Sequence, residues 1–323
     1  MYFITRIGGC YNPYMVDRPL DHLPHKTVLT LLDRIAPGSR LLKVELLPGS
    51  FSNHTHLVEA RLPGGETLKC VVRRYQVFGD YDRGEKARRE YKAFELMAHN
   101  GIPAPEPLLL DDTGVLLGVP GIVTRYVKGV LVLSTPPDPL DWARKLAVML
   151  ARIHRIPLDK DACDHLLKAN SEATWFLEGD SIPAYLQAYP GGVDLWQLLR
   201  ERFPLLQPAP RALVHIDYWS GNILWEEGEI SAVLDWEEAA CGDPVIDVAY
   251  ARQDMILMDL PAAADEFLHH YETETGHAVE NLGFWELAAA VRPMVDPHEW
   301  QVLDSPRMEL FQHFIEAARK RAG

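Results

Sequence analysis

The apolar positions of the chain change their period part-way along it. Up to residue 127 they come in short, alternating runs, 41–47, 55–62 and 67–75, separated by Pro48-Gly49-Ser50 and Pro63-Gly64-Gly65, which predict three strands joined by turns. A helix is predicted over 82–100, with Asp82 as N-cap, Gly101 as stop and Ala87, Tyr91, Phe94 and Ala98 as an apolar stripe at three- and four-residue steps. Runs at 105–111 and 115–127 predict two further strands. Beyond 128 the period becomes helical, over 138–156, 181–189, 192–203, 245–257, 261–275, 279–292 and 306–321, with prolines and glycines between. Inside this helical half lies one strand-like interruption: an apolar run at 211–214, another at 223–225, and a segment at 229–234 that should pair back as a hairpin. Residues 1–24 match no pattern, and Met1 to Asp21 are expected to form an extra flap or edge. No internal repeat or low-complexity tract is present.

The interruption is also where the polar chemistry concentrates: His215-Ile216-Asp217-Tyr218-Trp219-Ser220-Gly221-Asn222, then Val233-Leu234-Asp235-Trp236-Glu237. Phosphoryl transfer needs a carboxylate that orients an attacking hydroxyl and accepts its proton, together with oxygen ligands for the magnesium that neutralises the phosphates. Asp217, Asn222 and Asp235 suit those needs, and the hairpin is expected to bring them to one ion. His215 is expected to hold the loop by packing and hydrogen bonding, because the carboxylate two residues on already fills the acid-base role.

These residues resemble the aminoglycoside phosphotransferase and choline kinase-like family, which shares the protein-kinase fold. In that family a His-x-Asp-x-x-x-x-Asn loop carries the base and one magnesium ligand, and a following Asp carries the main magnesium contact. Gly242-Asp243-Pro244, Asp247-Val248-Ala249 and Leu150-Ala151-Arg152-Ile153-His154 look like further family segments, so the likeness spans roughly residues 41–260. The resemblance implies an α+β, bilobal protein kinase-like fold. A small antiparallel-sheet N-lobe with one main helix would occupy 1–127 together with an N-terminal extension, and a larger, mostly helical C-lobe with the catalytic loop and acceptor site would occupy 128–323. It also implies ATP and Mg2+ as cofactors, Asp217 as catalytic base, and Asn222 and Asp235 as metal ligands.

A nucleotide clamp is then expected in the first lobe. The turn from Pro48 to Asn53 stands where a phosphate-covering loop belongs, with Ser52 and Asn53 as candidate phosphate contacts, or else it is a plain hairpin; it has one glycine where kinases usually have three. Val71-Val72-Arg73-Arg74 takes the place of the kinase run that ends in lysine. A strand alternates its faces, so only one of the two arginines can face the phosphates; the resemblance favours Arg73. Glu90 lies beside the apolar stripe of the 82–100 helix, where a carboxylate without a cation would be costly, and a pair with Arg73 is expected. Thr124, Tyr126 and Val127 resemble the segment whose backbone bonds the adenine.

The chain has 323 residues and a net charge of -14. Residues 1–127 hold 16 Lys and Arg against 14 Asp and Glu, whereas 128–323 hold 16 against 32. An acidic second lobe would attract a cationic or amine-bearing alcohol and repel nucleic acid, with Glu178, Asp180, Glu237 and Glu238 as candidate carboxylates; ordinary acidity of such enzymes is the alternative. No apolar run reaches about eighteen residues and no basic-then-apolar leader is present, so a soluble cytoplasmic protein without membrane partners is expected. Cys10, Cys70, Cys163 and Cys241 show no paired spacing, so neither a disulfide nor a zinc site is expected. Trp175, Trp196, Trp285 and Trp300 suit either core or an acceptor pocket.

The expected function is ATP-dependent phosphate transfer to a hydroxyl of a small molecule, aminoglycoside-like. The alternatives are a kinase for choline, homoserine, a macrolide or a sugar, or a catalytically silent nucleotide-binding regulatory protein of the same fold. Protein substrates are set aside, since Trp219 stands where a protein kinase places lysine and Gly242-Asp243-Pro244 follows Asp235 with no activation segment between.

Overall fold

Alternation along the early strands decides what each of their faces buries. In the computed structural model, which describes residues 20, 22–47, 53–76 and 83–323, the chain divides into two compact units. One comprises residues up to Gly129 together with Ser231–Glu237; the other comprises Val130–Ile230 and Glu238–Gly323.

The first unit is organised by β1 (Arg40–Leu46), β2 (Asn53–Arg61), β3 (Thr67–Tyr75), β4 (Pro107–Asp111) and β5 (Gly121–Arg125). They form one sheet in the order β1-β2-β3-β5-β4, antiparallel at every pairing. On β3 the residues Cys70 and Val72 are fully buried and join Val58, Ala60 and Val123 against a helix not anticipated from sequence, α1 (His25–Ile35), through its Val28, Leu31 and Leu32. Burying each of these valines and leucines is worth about 1.5–3 kcal/mol, so this face anchors the sheet. Arg74 shares that face and donates to the carbonyls of Leu20 and His22.

The opposite face of β3 presents Arg73 and Tyr75 to α2 (Arg83–His99). The buried side of α2 is Ala87, Glu90, Phe94 and Met97; Ala98, expected in the stripe, is exposed, because Met97 lies nearer the axis of that face. Asp82, the expected N-cap, lies outside the described residues.

The strand expected over 115–127 is shorter, and this is a correction. The Asp111 carboxylate accepts the backbone N–H groups of Leu116 and Leu117 at 2.9 and 2.7 Å, which coils 112–120 into turns before β5 begins. Gly121 then lies against the Arg73 carbonyl so closely that a Cβ has no room.

The second unit is mostly helical. Asp138 caps α3 (Pro139–His154) by accepting from the Asp141 N–H, and Pro139 sits at the first turn where no N–H is needed. Helices at Val245–Leu257 and Pro261–Thr275 coincide with the expected spans. The span 279–292 instead splits into Leu282–Ala289 and Val291–Val295, since Pro293 has no N–H to give the preceding turn. The strand Ala212–Val214 pairs antiparallel with Ala240–Gly242, which runs parallel to Leu167–Lys168. Val245–Leu257 is the core helix. Its Arg252, 2% exposed, is ion-paired with the fully buried Glu286 at 2.8 Å, and Glu286 also takes Arg321.

Two expectations meet the structure here. Cys163 and Cys241 form a disulfide, against the expectation of none; they are 78 residues apart, and only the fold sets their Cα atoms 5.4 Å apart. Trp196 and Trp285 are core, their indole N–H groups donating to Phe176 O and Asp243 Oδ2, whereas Trp175 and Trp300 are partly exposed. Among the described residues, no helix is long and apolar enough to cross a membrane.

Candidate active site

The expected residues fall into one group in each unit. In the second unit, the strand Ala212–Val214 delivers the chain into a loop whose backbone is gripped by a buried carboxylate. Asp247, on the core helix and fully buried, accepts the N–H of His215 at 2.7 Å and of Ile216 at 2.8 Å. The grip holds Ile216 at φ 70, a conformation that costs a β-branched residue energy and persists only where the surroundings impose it. His154 of α3 lies 3.2 Å from the same carboxylate and 2.7 Å from the Tyr271 hydroxyl, which fixes the helix end from which Asp247 reaches. His215 is fully buried and its Nδ1 accepts the Asp217 N–H at 3.3 Å, the holding role expected of it.

Asp217 emerges with its side chain 31% exposed and both carboxylate oxygens engaged. The Asn222 amide donates to Oδ2 at 3.0 Å and to the Asp217 carbonyl at 2.9 Å; Arg292 donates to Oδ1 at 2.9 Å. Between them Ser220–Asn222 makes a single tight turn, in which the Trp219 ring lies over Gly221 so closely that a Cβ there would require the ring to move. Asp254, one helical stretch beyond Asp247, accepts both the N–H and the hydroxyl of Ser220 at 3.1 and 2.9 Å. Burial pushes the Asp254 carboxyl up to about 6, the bonds from Ser220 pull it back, and the Asp217 charge raises it further.

Asn222 spends its amide nitrogen on Asp217, which turns its carbonyl oxygen the other way. That oxygen and the Asp235 carboxylate are hard donors of the kind magnesium takes. Among the described residues no cluster of three or more His, Cys, Asp and Glu is set for a metal.

In the first unit, Arg73 is surrounded by carboxylates: Glu90 at 3.0 Å, Asp235 at 2.5 Å and Glu237 at 3.1 Å. The expected pair of Arg73 with Glu90 forms, and Arg74 points to the other face of the sheet. Glu90 also accepts from the Tyr75 hydroxyl and from the Trp236 N–H. Burial drives the Glu90 carboxyl up to about 7, against the pull of Arg73. Glu237 behaves oppositely: burial alone would raise it, but Arg73, Lys86 and the Asn53 amide bring it down to about 2. Glu237 was expected among the carboxylates available to a cationic acceptor. This is corrected by its charge being compensated by Arg73, Lys86 and Asn53 within the first unit. Asp235 stands at φ 62 with a side chain 40% exposed.

The remaining expected contacts are placed unevenly. Asn53 opens β2 and gives its amide to Glu237 at 2.6 Å, whereas Ser52 lies outside the described residues. Thr124 is interior to the sheet, paired with Val71 on one side and Pro107 on the other. Tyr126 follows the strand and its N–H is taken by the Lys69 carbonyl at 3.1 Å, which removes that donor from any adenine contact; Val127 comes next, half-buried. Of the acidic candidates in the second unit, Glu238 lies 3.8 Å from Arg292 and the exposed Asp180 pairs with Arg200 at 2.9 Å. Arg292 and Asp254 were not anticipated. Asp254 lies two turns after Asp247 on the same helix, a faint signal, and Arg292 left none.

Mouse acyl-CoA dehydrogenase family member 10 is 28% identical over 181 residues, which is 50% of this chain but only 16% of that relative's length. Among solved structures, spectinomycin phosphotransferase in complex with ADP and spectinomycin superposes with a TM-score of 0.59 at 15% identity, covering 90% of this chain and 93% of that one. Macrolide 2'-phosphotransferase from Brachybacterium faecium superposes at 0.57 and 19% identity, covering 90% and 98%. Both likenesses place the chain in the protein kinase-like fold. The model of the phosphotransferase enzyme family matches residues 43–282, and the chain belongs to that family.

Proposed function

We propose that the chain is an ATP-dependent small-molecule kinase, which moves the γ-phosphoryl group of ATP to a hydroxyl of a cationic or amine-bearing acceptor. The observation that carries this reading is the pairing of Asp217 with Asn222, at 3.0 Å, on a loop whose backbone Asp247 anchors. Asp217 orients the acceptor hydroxyl and takes its proton as the hydroxyl oxygen bonds to the γ-phosphorus; the bond to the bridging oxygen breaks and ADP leaves with the electron pair. Asn222 and Asp235 hold magnesium, which when bound neutralises phosphate charge. Arg73, steadied by Glu90, serves the phosphates together with Ser52 and Asn53, and arginine can fork onto two phosphate oxygens where lysine offers a point charge. Thr124, Tyr126 and Val127 serve the adenine, Tyr126 through its carbonyl. ADP in the spectinomycin phosphotransferase structure supports an adenine nucleotide as donor. The excess of 32 Asp and Glu over 16 Lys and Arg in residues 128–323 supports a cationic acceptor.

A second reading, a catalytically silent nucleotide-binding regulatory protein, is favoured by one observation: the Arg73 charge is already met by Glu90, Asp235 and Glu237. One experiment separates the two. Transfer from radiolabelled ATP is measured on a panel of kanamycin, erythromycin, choline, ethanolamine, homoserine and glucose, with and without magnesium. Magnesium-dependent product on an amine-bearing member supports the kinase; nucleotide binding without product on any member supports the silent protein.

A further inference from the structure

The catalytic loop from His215 to Asn222 contains no lysine or arginine, yet a cation reaches Asp217 from elsewhere in the second unit. We propose that Arg292 is a positioning residue for Asp217, supplied by the short helix Val291–Val295 to hold the base in its working orientation. The proposal rests on the assignment of Asp217 as the base.

Its first support is how the carboxylate is held. Arg292 Nη1 donates to Oδ1 at 2.9 Å while Asn222 holds Oδ2 at 3.0 Å, so the two grips leave the carboxylate one orientation. Each oxygen keeps a second lone-pair direction for an acceptor hydroxyl. The second support is that Arg292 is itself immobilised. Its guanidinium lies over the Tyr250 ring at 4.2 Å, its other amino group is 3.8 Å from Glu238, and its side chain is only 16% exposed. A merely stabilising pair would not require this. Asp217 is partly exposed, where an ion pair adds little to stability, and Glu238 already offers Arg292 a partner. The arrangement therefore uses a fixed cation to aim an otherwise mobile acid. Arg292 gains and loses no proton in the step; the hydroxyl proton goes to Asp217.

The test is steady-state kinetics of the full chain with magnesium ATP and whichever compound of the panel turns over fastest, on R292A, R292K, D217N and the D217N/R292A double variant. R292A is expected to lower kcat by about a hundredfold, the scale of a misplaced catalytic group, with the KM for ATP within about twofold of wild type. R292K should recover at least about tenfold of that loss, since it restores the charge without the planar fork. In the D217N background, removing Arg292 should cost less than about twofold, because groups acting as one unit are not additive. If D217N abolishes turnover while R292A stays within about threefold of wild type, the proposal is overturned and the base assignment stands. It is equally overturned if the R292A loss appears in full on top of D217N. Full turnover by D217N would instead overturn the base assignment itself. Should R292A not melt cooperatively, R292Q replaces it under the same limits.

Discussion

The Arg73 group and the Asp217 loop hold their carboxylates by opposite means. Around Arg73, Glu90, Asp235 and Glu237 are balanced by Arg73 and Lys86, and two neighbouring glutamates are driven apart, one up to about 7 and one down to about 2. Around Asp217 the work is done by hydrogen bonds to backbone and amide groups. Asp247 and Asp254 are spent on N–H and hydroxyl donors of the loop, and Arg292 touches the base. The contrast teaches that the first group is set by charge and the second by geometry. Changes to the first should therefore appear in affinity and pH dependence, and changes to the second in turnover.

The largest expected effect would break the comparison most directly. D217N keeps the shape of the loop but cannot take a proton, and kcat should fall at least about a hundredfold with the Kd for nucleotide nearly unchanged. Isothermal titration alongside turnover checks both; equal, mild losses in the two would contradict the geometric role.

Next comes D254N, read by thermal melts across pH. The folded Asp254 carboxyl, raised to about 6 from 3.8, keeps a proton that the unfolded chain has already released between those values, so its contribution to stability declines as pH rises from about 4 to about 6. Asparagine accepts from Ser220 without titrating. The stability of D254N relative to wild type should rise by about 1–3 kcal/mol across that window, at about 1.4 kcal/mol per pKa unit. A difference independent of pH would mean that folding does not raise the Asp254 carboxyl.

D235A addresses the charged group. It removes one proposed magnesium ligand and one partner of Arg73, and the Kd for magnesium ATP should weaken at least about tenfold, with stability little changed. Fluorescence titration with and without magnesium would show it; a loss confined to kcat would move Asp235 into the geometric class.

The smallest effect sharpens the contrast inside the charged group. Glu90, pushed up to about 7, is only partly ionised at pH 7, so E90Q should destabilise the fold less there than the loss of a fully ionised partner of Arg73. Glu237 lies below its ordinary value, so its charge stabilises the fold at neutral pH and that contribution is lost as pH falls from about 4.5 towards 2. E237Q should therefore lower the Tm at pH 7 more than E90Q does, and the gap should close in acid.

Much of this was legible in the chain. Alternation on β3 separates Arg73 from Arg74 without choosing between them, the family resemblance favours Arg73, and the helical period places Glu90 on the buried side of α2, where the pair forms. The loop residues were legible because one short segment carries them, and the core helix at 245–257 because apolar residues predominate along it after Pro244. The start of β5 was not, because Asp111 bends the chain through two side-chain bonds that leave no periodic mark. Helix α1 was missed beside a segment that matches no pattern.

What the sequence by itself determined is the set of elements and the chemistry of the loop, since strand and helix periods and a run of catalytic residue types are local properties of the chain. Only the tertiary structure decided which distant groups meet. Arg292 reaches Asp217 from 75 residues away, Cys163 reaches Cys241 from 78, and Glu237 joins Arg73 instead of facing an acceptor. The physical reason is that such contacts are set by how buried faces pack, and a charged or sulfur-bearing side chain carries no periodic signal of the partner that packing will bring to it.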